Sequence, residues 1–163
     1  NGQDPRGAGG PRVSGGTGGA GPGEVLFEFV RYWSRRVPAD DPRVAERGRW
    51  VLVTEAVAAV TRDGPATINA VAQEIGMDQS GASRLVKGAV AAGYLRMQAA
   101  QADGRRRHVT LTPAGRELLE RAHGWQEAVF DRLTAGWDEP RRVAFHAAML
   151  DLLDRGRALR AYR

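Results

Sequence analysis

Apolar positions along the chain fall into two periods. From Glu24 to Val37, Leu26, Val30, Trp33 and Val37 recur every three or four residues, and Phe27, Phe29 and Tyr32 widen the stripe. That spacing predicts an amphipathic helix, which Pro38 ends. Asp41–Pro42 places a capping acid before a first-turn proline, so a second helix starts there and runs to about Arg62. It carries Trp50, Val53, Val57 and Val60 on one face, with a candidate kink at Gly48 and a stop at Asp63-Gly64-Pro65. A short helix is expected from about Ile68 to Ile75, with Ala70, Val71 and Ile75 inward and Gly76 permitting a tight turn. Asp78 then caps a helix from Gln79 to Ala92, whose inward residues are Ala82, Leu85, Val86 and Ala89, and Gly93 ends it. The period next shortens to two. Tyr94–Met97 and His108–Thr112 read as strands joined by Gln98–Arg107, with Asp103-Gly104 as the turn signal. Pro113 opens a long helix to about Thr134. A last helix spans about Glu139 to Leu159, with a stripe of Val143, Ala147, Leu150 and Leu153. No internal repeat interrupts this order. The prediction is a mainly α chain with one small β-hairpin.

Residues 1–23 break both periods. They hold ten glycines and three prolines with almost no apolar side chains, too little to offset the entropy of ordering, so a disordered tail is expected. The remaining length suits one domain, 24–163.

Charge sharpens the picture. The chain carries a formal +5 over 163 residues, and the segment Gln79–Arg107 alone sums to +5 through Arg84, Lys87, Arg96, Arg105, Arg106 and Arg107 against Asp103. The residues before it sum to −1 and those after it to +1. A pI near 10.6 favours an anionic partner, nucleic acid or a membrane surface. The most apolar run, Trp50–Val60, contains Thr54 and Glu55 and is too short to span a bilayer. With no leader pattern, a cytoplasmic protein without a membrane partner is expected. The absence of cysteine excludes disulfides and thiolate chemistry. His108, His123 and His146 stand apart from each other and from ligand-spaced acids, so no metal site is expected. No nucleophile motif and no phosphate-cradling glycine loop occurs, so neither catalysis nor a cofactor is expected.

A basic block on a helix–turn–helix pattern is the electrostatic footprint of a DNA-binding surface. Ser80, Ser83, Arg84 and Lys87 project away from the inward face of their helix. Arginine's planar donor fork suits guanine edges and phosphates, and the short serines suit phosphate or base contacts. Alone, Arg84 and Lys87 also fit a solvated helix face, and Arg105–Arg107 a soluble hairpin tip, with Arg106 pointing away from its neighbours. Gln79 fits a plain helix start and Asp103 a plain turn residue.

The order of elements and several runs resemble the MarR family of winged-helix regulators. The resemblance rests on Val71-Ala-Gln-Glu-Ile-Gly76, Gln79-Ser-Gly-Ala-Ser-Arg-Leu-Val86, Ala91-Ala-Gly-Tyr-Leu95, and above all Asp103-Gly-Arg-Arg-Arg-His-Val-Thr-Leu-Thr-Pro-Ala-Gly115. It implies a winged helix-turn-helix whose N- and C-terminal helices, about 24–47 and 114–159, form a dimerisation module around a DNA-binding lobe of about 49–113. It implies a homodimeric transcriptional repressor on a pseudo-palindromic double-stranded operator, with half-sites about one helical turn, ~10 bp, apart. The Gln79 helix would enter the major groove. Ser80, Ser83 and Arg84 match the family's contacting face, Arg105 its minor-groove arginine, and Asp103 the acid that orients it; Gln79, Lys87, Arg106 and Arg107 complete the candidate set. A small aromatic or anionic effector is implied, with Trp33, Arg47, Trp50 and His123 as candidate lining. The terminal helices have more apolar surface than so small a lobe can cover, which makes Trp33, Trp125, Phe130, Leu133, Phe145 and Leu150 interface candidates, each equally placed to be intrachain core. Two departures stand out. Gly81 removes a side chain where the family often has one, and Gly88 adds a second flexible position, each weakening the helix by up to ~1 kcal/mol. That keeps a sequence-tolerant architectural DNA-binding protein in view, with a winged-helix protein-interaction module as a further alternative.

Overall fold

The computed structural model describes residues 20–34, 42–99 and 107–161. Among them lie α1 (Pro22–Ser34), α2 (Pro42–Thr61), α3 (Ile68–Ile75), α4 (Gln79–Ala91), β1 (Leu95–Ala99), β2 (Arg107–Leu111), α5 (Pro113–Leu133) and α6 (Glu139–Ala161). This is the expected mainly helical fold with one hairpin. The chain divides into two compact units, residues 1–45 and 46–163. In the first, α1 begins at Pro22, two residues before the expected start, because proline's fixed φ is already helical at a first-turn position. Its own aromatic residues cluster: the Trp33 ring lies 6.2 Å from Phe29 and 5.8 Å, edge-on, from Tyr32.

The second unit is built on small side chains. Val53, Val57, Val71, Val86 and Val109 are its largest fully buried apolar residues, joined by Ala56, Ala66, Ala89 and Leu95. Valines and alanines let α2, α4 and the hairpin approach closely, and each buried valine contributes about 1.5 kcal/mol or more of transfer free energy. Trp50, Val60, Leu85, Met97 and Leu111 close the core at its margin. The helical periodicity thus selected the right face of α2. Helix α2 runs through Gly48 without interruption.

Gly88, expected to be a weak point, has a packing role. A Cβ there would stand 2.5 Å from the Trp50 ring, so the bare backbone is what lets the indole lie against α4.

The ends of the helices are fixed by local hydrogen bonds. Thr67 caps α3, accepting from the Ala70 amide at 3.2 Å. Gly76 closes it at φ +79°, where the amides of Gly76 and Met77 both donate to the Ala72 carbonyl. Helix α4 ends in the same way. Gly93 sits at φ +85°, its amide donates to Val90, and the Tyr94 amide donates to Ala89 at 2.9 Å, the paired bonds of a Schellman cap.

The hairpin is antiparallel in the register Leu95–Leu111, Arg96–Thr110, Met97–Val109, Gln98–His108 and Ala99–Arg107. Pairing carries β1 to Ala99, past the Met97 limit expected from the apolar pattern alone. The Val109 amide also donates to the Ala66 carbonyl at 2.8 Å, tying the free edge of β2 to the segment before α3.

One residue joins four elements. The Thr112 hydroxyl caps α5 by accepting from the Gly115 amide at 3.1 Å and donates to the Gly93 carbonyl at 2.6 Å. Its own amide donates to the Tyr94 carbonyl. At Gly115 an added Cβ would lie 2.1 Å from that same Tyr94 oxygen, so only glycine allows α5 to start there. Gly115→Ala should therefore cost about 1–3 kcal/mol, the usual range for a forced backbone shift. Urea denaturation should read the loss, and an unchanged midpoint would contradict this packing.

Candidate nucleic-acid interface

The turn between α3 and α4 is Gly76-Met77-Asp78. Asp78 caps α4: its carboxylate accepts from the Gly81 amide at 2.7 Å and from the Ser80 hydroxyl at 2.8 Å. Those bonds, the Gly81 amide first and then Ser80, hold the Asp78 carboxyl below its ordinary value of 3.8, with a smaller contribution from the charge of Arg84. The geometry does not require glycine at Gly81, because an added side chain would make only ordinary contacts. A Cβ there would meet the Asp78 carboxylate and the Met77 sulfur, both at 3.4 Å.

From that start α4 buries Ala82, Val86 and Ala89. The opposite face presents Gln79, Ser80, Arg84 and Lys87, all exposed, with Ser83 half-buried beside them. Ser80, Arg84 and Lys87 share one stripe about 10 Å long, the rise of seven helical residues. Neither Arg84 nor Lys87 forms a salt bridge to another described residue. Ser80 has its proton committed to Asp78, so it offers lone pairs outward before it offers a donor.

The hairpin stands behind α4. Asp103, Arg105 and Arg106 lie outside the described residues. Arg107 is described and exposed, and its guanidinium donates to the Met97 sulfur at 3.8 Å. Strand alternation explains this, since Arg107, Met97 and Val109 share the inner face. The outer face carries Arg96, Gln98, His108 and Thr110. Sequence reasoning counted Arg96 only as charge, placed Gln98 in the segment between the strands and weighed His108 only as a metal ligand; strict alternation about buried Leu95 and Val109 was the signal available for their shared face.

Three of the four expected effector-lining residues, Arg47, Trp50 and His123, lie in the second unit. Trp50 packs on Gly88, and the His123 Nε2 meets the Glu55 Oε1 at 2.5 Å, tying α5 to α2. Arg47 is exposed, and Trp33 belongs to the α1 aromatic cluster. A cleft of about 790 Å³ lies elsewhere, lined by Ala59, Val60 and Ala70 and by the polar Arg62, Gln73 and Arg157, among others. Among the described residues no cluster of three potential metal ligands occurs, and no helix is long and apolar enough to cross a membrane.

A capped helix–turn–helix backed by an antiparallel hairpin defines a winged-helix protein. Residues 54–106 match the model of the MarR family. Solved structures agree over most of the chain. A MarR protein from Peptoclostridium difficile is 12% identical, with a TM-score of 0.63 over 93% of this chain and 99% of that one. Bordetella bronchiseptica BpsR, whose DNA binding is regulated by 6-hydroxynicotinic acid, is 23% identical, with a TM-score of 0.53 over 78% of this chain and 97% of that one. S. aureus MepR bound to ethidium bromide is 16% identical, with a TM-score of 0.51 over 80% and 94%. No curated protein matches the chain.

The cap carries a pH prediction. Because the folded Asp78 carboxyl lies below its ordinary value, its stabilising effect is present above pH 3.8 and is lost as pH falls below it. Asp78→Asn keeps an oxygen acceptor at the cap. It should leave neutral-pH stability close to wild type and flatten the acid limb of thermal stability below that pH, as circular-dichroism melts would record. An acid limb as steep as wild type would remove Asp78 from that role.

Proposed function

We propose that the chain is a homodimeric, sequence-specific transcriptional repressor of MarR type that binds a pseudo-palindromic duplex. The observation that carries the reading is the exposed, unbridged Arg84–Lys87 stripe of α4, within the segment that holds the whole net charge. In this reading α4 enters the major groove with Gln79, Ser80, Ser83 and Arg84 toward bases and phosphates, and Lys87 against the backbone. The wing follows the adjacent minor groove, with Arg105 inserted, Asp103 orienting it, and Arg106 and Arg107 at its flanks.

Dimerisation is supported by apolar surface left open in the single chain. Trp125 and Leu133 on α5, and Val143, Phe145, Leu150, Leu153 and Leu159 on α6, are 42–72% exposed, as are Phe27 and Phe29 of α1 within the same range. Large apolar side chains left exposed along a helix are what an interface would cover. The assignment of 24–47 and 114–159 to dimer contacts and 49–113 to DNA follows. Relief by a small aromatic or anionic effector is part of the proposal. It is supported by the named regulator of BpsR and the ethidium complex of MepR, and such a ligand acts only through its differential affinity for the two states. The cytoplasm is the proposed compartment.

Fluorescence anisotropy on a duplex carrying the selected site tests this. Arg84→Ala should weaken binding by ~1–3 kcal/mol and relax preference at one base position, whereas Lys87→Ala should weaken all sequences alike and reduce the salt slope by about 1. Unchanged affinity in both variants would refute the assignment of this face. Light scattering at micromolar chain should give the mass of two chains; a monomer's mass would refute the dimer.

A further inference from the structure

The exposed face of α4 holds a residue whose chemistry differs from that of every other fixed cation in the chain. Of 24 lysines and arginines, a single one is lysine, and it is Lys87. It lies exposed in the stripe with Ser80 and Arg84, away from buried Ala82, Val86 and Ala89. Arginine, the residue at every other such position, serves a phosphate contact there at least as well. The Lys87 ammonium forms no salt bridge among the described residues. Helix α4 contains no acid. The Asp78 cap stands more than two turns earlier, about 14 Å along the axis, and its Oδ1 already accepts from Gly81 and Ser80. The adjoining Gly88 lies against the Trp50 ring, so this turn of α4 is fixed on α2 while the Lys87 stem stays in solvent.

The difference that matters is nucleophilicity. A guanidinium is delocalised and keeps its proton throughout the neutral range, so it is a poor nucleophile. A lysine amine that has passed one proton to solvent carries a free lone pair. Against an acyl phosphate, that lone pair attacks the carbonyl carbon and an N–C bond forms. The C–O bond to phosphate breaks, phosphate leaves with the electron pair, and a second amine proton passes to solvent. The product is a neutral amide, with nothing oxidised or reduced. Arg84 favours an anionic donor of this kind. Three residues apart on a helix, the Arg84 and Lys87 side chains start about 5–6 Å from each other. A guanidinium paired with the phosphate of the donor therefore brings its carbonyl to the amine.

We propose that Lys87 is an acylation site, that an acyl phosphate held by Arg84 delivers the acyl group, and that the modification weakens DNA binding. The inference rests on the DNA-binding reading above. Acylation removes the charge of Lys87 and with it one phosphate contact and one released counterion. The salt slope becomes shallower by about 0.9, and binding weakens roughly eightfold at about 0.1 M salt. No second lysine occurs in these 163 residues, so the change is all-or-none at one position. Bound duplex covers the same amine and protects it.

The test treats the full chain with acetyl phosphate and locates the acetyl group by peptide mass mapping. Anisotropy on a rhodamine-labelled duplex of mixed sequence, titrated with salt, then compares treated and untreated protein. Acetylation should fall on Lys87, more slowly when duplex is already bound, and treated wild type should bind roughly eightfold more weakly with the shallower slope. Lys87→Arg has no side-chain amine and should show the same affinity before and after treatment, which accounts for any reaction at the chain's N-terminus. Arg84→Gln should be acetylated about fivefold more slowly by acetyl phosphate, the factor for one cation attracting one anion in contact in water. An uncharged N-hydroxysuccinimidyl acetate should acetylate it at the wild-type rate, and melting curves check that each variant folds. No acetyl group at Lys87, undiminished binding by the Lys87-acetylated chain, or an Arg84→Gln rate equal to wild type with acetyl phosphate overturns the inference and leaves the DNA-binding reading standing. An untreated chain that binds no duplex overturns both.

Discussion

The geometry of this lobe depends on the contact between Thr112 and the turn that leaves α4. One hydroxyl accepts from Gly115 and donates to Gly93, while the Thr112 amide and the Cα of Gly115 both rest on the Tyr94 carbonyl. The end of the candidate reading helix, the start of β1, the end of β2 and the start of α5 meet within these few atoms. A helix that reads DNA is useful only if its angle to the wing and to the connecting helix is fixed. Here that angle is set by directional backbone bonds and by a steric requirement for glycine, and less by the bulk of the core, whose fully buried apolar members are valines and alanines.

The same economy appears at Gly88. Two glycines in one short helix lower its intrinsic stability, yet Gly88 admits the Trp50 ring. Part of the helix's stability is thereby moved to its cap and its tertiary contacts. This couples the orientation of α4 to α2, the helix that His123 also joins to α5.

Much of this was legible in the sequence. Thr67, Gly76, Asp78 and Gly93 are strong local signals, because capping and left-handed backbone depend on one or two residues, and they placed α3 and α4 within a residue. The exposed face of α4 followed from its periodicity. The extent of β1 was not legible, since Gln98 and Ala99 are held in the strand by cross-strand partners ten or fewer residues away in sequence and not by their own propensity. The packing roles of Gly88 and Gly115 were hidden for a related reason. Each touches a residue from another element, Trp50 and Tyr94, and composition carries no trace of that contact. The contacts of Trp50 with Gly88 and of His123 with Glu55 were likewise not legible, since each joins residues far apart in sequence. The hairpin's outer face was readable by alternation about Leu95 and Val109, and was masked by the conspicuous arginine run beside it.

The central claim is that two copies of this lobe read a two-fold symmetric duplex. Selection from a random duplex pool, followed by sequencing of the bound fraction, tests it most directly. The account predicts an inverted repeat whose half-sites lie about one helical turn, ~10 bp, apart. An asymmetric motif, or strong binding that enriches no motif, would contradict it.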